Sequence, residues 1–498
     1  MAVKRFLANK DTTITNAYKQ NLSTRATSSN MGASDILEVY SVYAQASTSS
    51  AEESRVLVNF SMTDIAASRS AGDIPASGSV NWYLRMFNAE HSETLPVDYT
   101  MQISAITKSW DEGYGLDMEE FSDVGWPQGQ GVTWEYAASG STWDTQGGDF
   151  FTGSGVSNSV YNYTASFGSE GTENIETEVT NLVEGWLDDL AALKGDYGFG
   201  IRLAPATASL AKSFYTKKFF GRNSEFFLKR PVLEARWDDS KKDHTGRFYL
   251  SSSLLPAADN INTIYLYNVV KGVLKNVPNL AATGEIWVSA YSGSATNASP
   301  TGSRLKLPDG GGVVTDGHQI VTGGYVSTGI YSASFAYASS SITVIYPVWH
   351  SSSTEYHTGS AITVKKFQAS NYNPKPLYVS KITNLKSVYS PIETARLRLY
   401  VREKDWNPTI YSVASTAIET SIIEDAYYKL IRVADDYEIV KYGTGSLNHT
   451  RLSYDITGSY FDLDMGMLEK DYMYGIKLIY KVNGKYAEQP EIFKFRIE

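Results

Sequence analysis

The sequence contains no cysteine among its 498 residues, so no disulfide can staple the fold. Stability must come from burial alone, which suits folding in a reducing compartment. No run approaches the roughly 18 apolar residues that cross a bilayer as a helix. The first ten residues, Met1 to Lys10, hold no apolar core of signal-peptide length. These absences predict a protein made and folded in a cytoplasm, without membrane contact. Basic charge is also short: 44 Lys and Arg stand against 54 Asp and Glu, a net charge of −10. A phosphate-gripping domain usually presents a basic face, so no nucleic-acid partner is expected. The six histidines, His91, His244, His318, His350, His357 and His449, form no close metal-spaced pair, and they read as surface or rim side chains. There is no phosphate-binding glycine loop followed by a helix, no nucleophile elbow, no kinase signature and no short fixed repeat.

Aromatic residues are plentiful. They make up 13% of the chain, with Tyr at 35 outnumbering Phe at 19, as in half-buried positions on stacked sheets. Short alternating runs such as Ile36 to Val42, Arg55 to Phe60, Tyr99 to Thr107, Asn262 to Tyr267, Glu393 to Arg402 and Tyr474 to Tyr480 recur between turn clusters, one of them at Pro308 to Gly312. The expected fold is all-β, with three β-sandwich domains in tandem: residues 1–240, 247–368 and 371–498, the last Ig-like. The charged run Asp238 to Gly246 is the predicted linker.

One stretch departs from this pattern. Val179, Leu182, Val183, Trp186, Leu187 and Leu190 share one helical face, which predicts a single amphipathic helix over about 180–194. Thr180 is its expected N-cap and Gly195 its expected C-cap. Between 113 and about 160 lies a long Gly-, Ser- and Trp-rich excursion, and long ordered loops often carry function. Its Trp126, Trp134 and Trp143, with Tyr114 and Tyr136, offer either a stacking platform for sugar rings or anchors for the loop. The favoured reading is anchors, against the sandwich or a neighbouring subunit. Asp111, Glu112, Asp117, Glu119 and Glu120 form an acidic cluster that invites glycoside hydrolysis or calcium binding, but no D-x-D-x-D-G loop accompanies it. Neither an enzyme nor a cofactor is expected. Lys217, Lys218, Arg222, Lys229 and Arg230 read as guards on an edge strand.

The order of motifs over residues 5 to 238 resembles the DNRLRE family, jelly-roll domains akin to carbohydrate-binding modules. Asp11-Thr-Thr-Ile resembles its opening strand, Asn30-Met-Gly32 its turn, Arg55 to Phe60 its Arg-led strand and Trp110-Asp-Glu-Gly113 its W-x-E-G element. Glu178 to Trp186, Tyr197 to Leu203 and Arg230 to Arg236 resemble the helix, the strand after it and the closing strand. The resemblance implies that the first sandwich is a jelly roll and that Trp110, Glu112, Trp186, Tyr197 and Trp237 are structural. The whole chain resembles tailed-phage virion proteins. That implies a non-enzymatic capsid, neck, collar or tail accessory in the virion, a symmetric homo-oligomer bound to other virion proteins. The alternative is a carbohydrate-binding host-recognition fibre component or a surface adhesin, with glycan as partner.

Overall fold

The computed structural model describes residues 2–44, 46–47, 50–91, 98–122, 131–153, 158–168, 171–205, 214–278, 280, 285–293, 301–308, 319–352, 354–367, 373–405 and 420–498. Trp126, His318 and the turn cluster after Pro308 lie outside them. The chain is mostly β. It divides into two compact units: Met1–Asp238 with Gly466–Asp471, and Asp239–Met465 with Tyr472–Glu498.

The first unit is a two-sheet antiparallel sandwich in jelly-roll style. One sheet holds β1 (Val3–Leu7), β5 (Asn81–Met86), β11 (Ile175–Glu178) and β14 (Val232–Arg236). The other holds β2 (Lys10–Thr15), β3 (Ile36–Tyr43), β4 (Ala51–Asn59), β6 (Asn88–Ala89), β7 (Tyr99–Ala105), β10 (Asn162–Phe167), β12 (Phe199–Leu203) and β13 (Phe214–Phe220). A small hairpin adds β8 (Tyr136–Ala138) and β9 (Ser141–Thr142). The chain changes sheet repeatedly, so inward side chains of distant segments meet in one core. Period-2 alternation drives this: in β3, Leu37 and Val39 are fully buried in that core, while Ile36, Glu38, Tyr40 and Val42 face the other way. Trp82, Met101, Ile103, Phe199, Phe219 and Leu233 complete the same core.

The amphipathic helix is shorter than its pattern. It spans Thr180–Leu187, then gives way at Asp188 and Asp189, the latter at φ 51°, to a 3-10 turn Ala191–Leu193. Two adjacent carboxylates at a helix C-terminus oppose the dipole and have low helix propensity, which accounts for the stop. Lys194, at φ 59°, takes the left-handed closing position expected of Gly195. Nor is Thr180 the cap: it is the first helical residue, and its Oγ1 accepts the amide of Trp82 at 2.9 Å, stitching the helix to β5. Trp186 is 6% exposed and meets Phe199 edge-on at 4.9 Å.

A second helix, Met62–Ser70, begins where the Ser61 side chain accepts the amide of Asp64. Only Met62 and Ile65 in it are buried, so it shows no apolar stripe for periodicity to find. The two helices are joined through Arg69, which donates to both oxygens of Glu184 at 2.6 and 2.9 Å, while Trp82 Nε1 donates to the same carboxylate at 2.7 Å. Burial alone would raise the Glu184 carboxyl, but these partners hold it below the ordinary carboxylate range.

In the second unit, an eight-stranded antiparallel sheet running from Asn262–Tyr267 to Ile362–Thr363 closes around Phe248, Ile286, Val288, Leu307, Tyr331 and Trp349. Among the described residues its strands do not pair with the four- and six-stranded sheets that follow from Tyr378–Ile382 to Phe493–Ile497. The charged run expected as a linker is built into this unit from Lys241 onward. The Lys241 amide donates to Ser453 Oγ at 3.0 Å, and Asp243, 5% exposed, caps the turn His244–Gly246 through the amide of Thr245.

Candidate functional site

The Trp-rich excursion divides. Trp110, Trp134 and Trp143 are buried in a small separate core with Ile14, Leu57, Ile106, Val132, Ala137 and Phe150. Their polar edges are satisfied or covered: Trp110 Nε1 donates to the Tyr197 carbonyl at 2.8 Å, Trp143 Nε1 donates to the Thr133 carbonyl at 2.9 Å, and the Arg55 guanidinium sits over Trp134. Tyr114 and Tyr136 stay exposed. Tyr197 packs on this same core, and Trp237 is buried in the main one.

The Asn-x-Gly and Trp-x-Glu-Gly elements pack against each other, which gives them a physical reason. Asn30 Nδ2 donates to the carbonyls of Glu112 and Val132, both at 2.7 Å, and Asn30 Oδ1 accepts the amide of Gly115 at 2.8 Å. A Cβ on Gly32 would stand 2.1 Å from the Glu112 carbonyl oxygen, so only glycine fits there. Glu112 accepts Arg222 Nε and Nη2, each at 2.6 Å, and the Asp11 amide at 2.8 Å. Asp11 Oδ2 accepts the Arg222 amide at 2.6 Å, while its buried Oδ1 has no hydrogen-bond partner among the described residues. Burial pushes the Asp11 carboxyl up to about 7.

Three more of the acidic residues are engaged. Asp117 accepts the Glu119 amide, Glu119 the Gln20 amide, and Glu120 pairs with Lys19 at 2.7 Å. Among the described residues no group of three or more acidic or histidine side chains could hold a metal ion.

The edge-guard reading of the basic residues fails at Lys217 and Arg222. Strand β13 pairs with β3 along its length and with β6 at one end. Lys217 points inward, fully buried, its Nζ donating to Asn88 Oδ1 at 2.5 Å and to the Gly171 carbonyl. Burial pushes its ammonium down to about 8. Arg222 belongs to the Glu112 pair described above.

What the sequence did not reveal is a cleft of about 840 Å³ in the first unit. Its floor is the outward row of β3 (Ile36, Glu38, Tyr40, Val42) beside that of β13 (Phe214, Thr216, Lys218, Phe220). Thr13 and Thr15 of β2, Tyr18 and Met31 from loops, and Leu116 to Glu119 form its walls. The walls are tied down: the Ser29 hydroxyl donates to the Met118 carbonyl, and Tyr40 Oη lies 2.6 Å from Thr15 Oγ1. On the floor, Thr216 Oγ1 donates to Glu38 Oε1 at 3.0 Å and Lys218 Nζ stands 3.7 Å from the same carboxylate. The only signal for this site lay in two polar-aromatic outward rows on strands that are far apart in the chain.

In the second unit, His350 Nε2 lies 2.8 Å from Ser289 Oγ, and His350 Nδ1 lies 2.8 Å from the Ser351 carbonyl oxygen. Both side chains are buried, Ser289 completely, so this serine–histidine pair offers no approach to a substrate. His244 accepts the Thr263 amide at Nδ1 and lies 2.9 Å from the Tyr454 hydroxyl through Nε2, beside a cavity of about 370 Å³ whose Arg247 and Glu424 pair at 2.7 Å.

No protein-family model matches the chain, and no curated protein matches it. Among solved structures it is similar to a marsupial T cell receptor, with 9% identity, 51% of this chain and 71% of that one covered, and a TM-score of 0.16. It is also similar to native E. coli alpha-2-macroglobulin, with 8% identity, coverage of 89% and 21%, and a TM-score of 0.17. Tandem Ig repeats of Dlar match with 9% identity, coverage of 48% and 90%, and a TM-score of 0.14. At these scores the likenesses carry no argument about function.

Proposed function

We propose that the chain is a non-enzymatic structural protein of a tailed-phage virion, an accessory of capsid, neck or tail that assembles through protein–protein contacts as a symmetric homo-oligomer. The observation that carries this reading is the set of large apolar side chains left outside both cores. Phe121 is 65% exposed in the first unit, and Leu254, Ile392 and Ile456 are 92%, 95% and 66% exposed in the second. The hairpin Val269–Val270 and Val273–Leu274 adds four more exposed apolar residues. Burying such groups against a neighbour would remove apolar surface from water, which favours association. The cysteine-free sequence and the motif order of the first half support the same reading. Quantitative mass spectrometry of purified particles should find the protein at a copy number matching a symmetry element. Particles that lack it reject the proposal.

A second reading, carbohydrate binding, is favoured by the first-unit cleft, where aromatic rings and hydrogen-bonding side chains line one open floor.

A further inference from the structure

Among the residues that line the cleft, acidic side chains outnumber basic ones. Glu38, Glu90, Asp117 and Glu119 bring carboxylates to its lining, and Lys218 brings the one ammonium. Its floor strand Phe214–Phe220 is paired along β3 over its length and, at Lys218 and Phe219 only, with β6, while Lys10–Thr15 is paired along β4. The floor presents its outward side chains for recognition. Phe214, 41% exposed, and Tyr40 offer ring surface, Tyr18 and Phe220 carry the Arg25 guanidinium and the Lys229 ammonium over their rings, and the Glu38 carboxylate keeps acceptor capacity beyond the Thr216 hydroxyl. Alternating rings and acceptors match a chain of sugars, whose C–H faces pack on aromatic surfaces and whose hydroxyls donate to carboxylates.

We propose that this cleft binds a glycan chain of uncharged or amino-bearing sugars and rejects polyanionic glycans. The inference rests on the carbohydrate-binding reading and narrows it to a ligand class by charge. A uronate or phosphate placed here would face four carboxylates, Glu38 half-buried on the floor and Glu90, Asp117 and Glu119 exposed, and at low salt such like charges oppose binding. An amino sugar would find acceptors instead.

Calorimetric titration of the full chain at low salt and pH 6 tests this with four probes: hexamers of β-1,4-linked glucose, N-acetylglucosamine and glucosamine, and a hexamer of α-1,4-linked galacturonate. Saturable binding of at least one of the first three is expected, with no heat from hexagalacturonate. Phe214→Ala, at an exposed position that leaves the core intact, should weaken binding by about tenfold. Glu90→Lys combined with Asp117→Asn should admit the galacturonate. Galacturonate binding as tight as the best neutral probe overturns the charge filter while leaving the carbohydrate-binding reading standing. Silence from all four probes overturns both, and an affinity untouched by Phe214→Ala overturns the location.

Discussion

Asp11 carries a carboxylate half-satisfied by the Arg222 amide and half enclosed without a hydrogen-bond partner, and the consequence is a pH dependence. Its folded carboxyl titrates near 7 against an ordinary 3.8, so between those values the native state holds a proton that the unfolded chain has lost. Stability contributed at this site is therefore full at acid pH and falls as pH rises through the window, by up to ~1.4 kcal/mol per pH unit. Asp11→Asn should abolish that slope. Denaturant midpoints of the two proteins at pH 5 and pH 7.5 check it, and parallel slopes would sink the idea. No local pattern announces this behaviour. The Asp-Thr-Thr-Ile run reads as a strand start, and only the return of the chain at Glu112 and Arg222 encloses the carboxylate. Lys217 teaches the same lesson with the opposite charge: a Lys-Lys pair reads as solvent-facing, yet the period of the strand turns its first member into the core.

At the scale of elements, helices Met62–Ser70 and Thr180–Leu187 of the first unit are joined by one ion pair. Arg69 and Glu184 lie 115 positions apart and meet with two bonds, and Trp82 supplies a third. A double-mutant cycle of Arg69→Ala and Glu184→Gln, read by chemical denaturation, should return a coupling energy of about 1–3 kcal/mol. A coupling near zero would mean that the helices are held by apolar packing alone. The strands were legible because alternation is local: Leu37 and Val39 declare the buried face of β3 without reference to any other segment. The apolar face of Thr180–Leu187 was legible for the same reason. Its end was not, because Leu190 and Leu193 continue the apolar period after Asp188 and Asp189 have broken the backbone helix. Met62–Ser70 escaped because a helix with two buried residues leaves no stripe.

For the molecule as a whole, each compact unit has its own buried cluster, the first around Trp82 and Phe199 and the second around Phe248 and Trp349. Trp186→Ala should remove about 3–5 kcal/mol from the first unit through the cavity beside Phe199. Calorimetry should then show a lowered transition for that unit and an unchanged one for the other. A single transition shifted as a whole would show that the units unfold together. If the proposed virion role holds, any loss of particle incorporation in this variant should track the loss of fold.

The sequence by itself determined the all-β class, the absence of covalent staples, the inward and outward faces of most strands, and the clustering of motifs that resembles a jelly roll. These are local properties, set by side-chain periodicity and turn chemistry within a few residues. Tertiary structure decided what those faces became. It buried Trp134 and Trp143 in a satellite core, joined Glu112 to Arg222, carried Lys217 inside, and set the outward rows of β3 and β13 side by side as the floor of a cleft. Strand neighbours and loop returns are long-range choices, made by which faces can be buried together, and no window along the chain contains them.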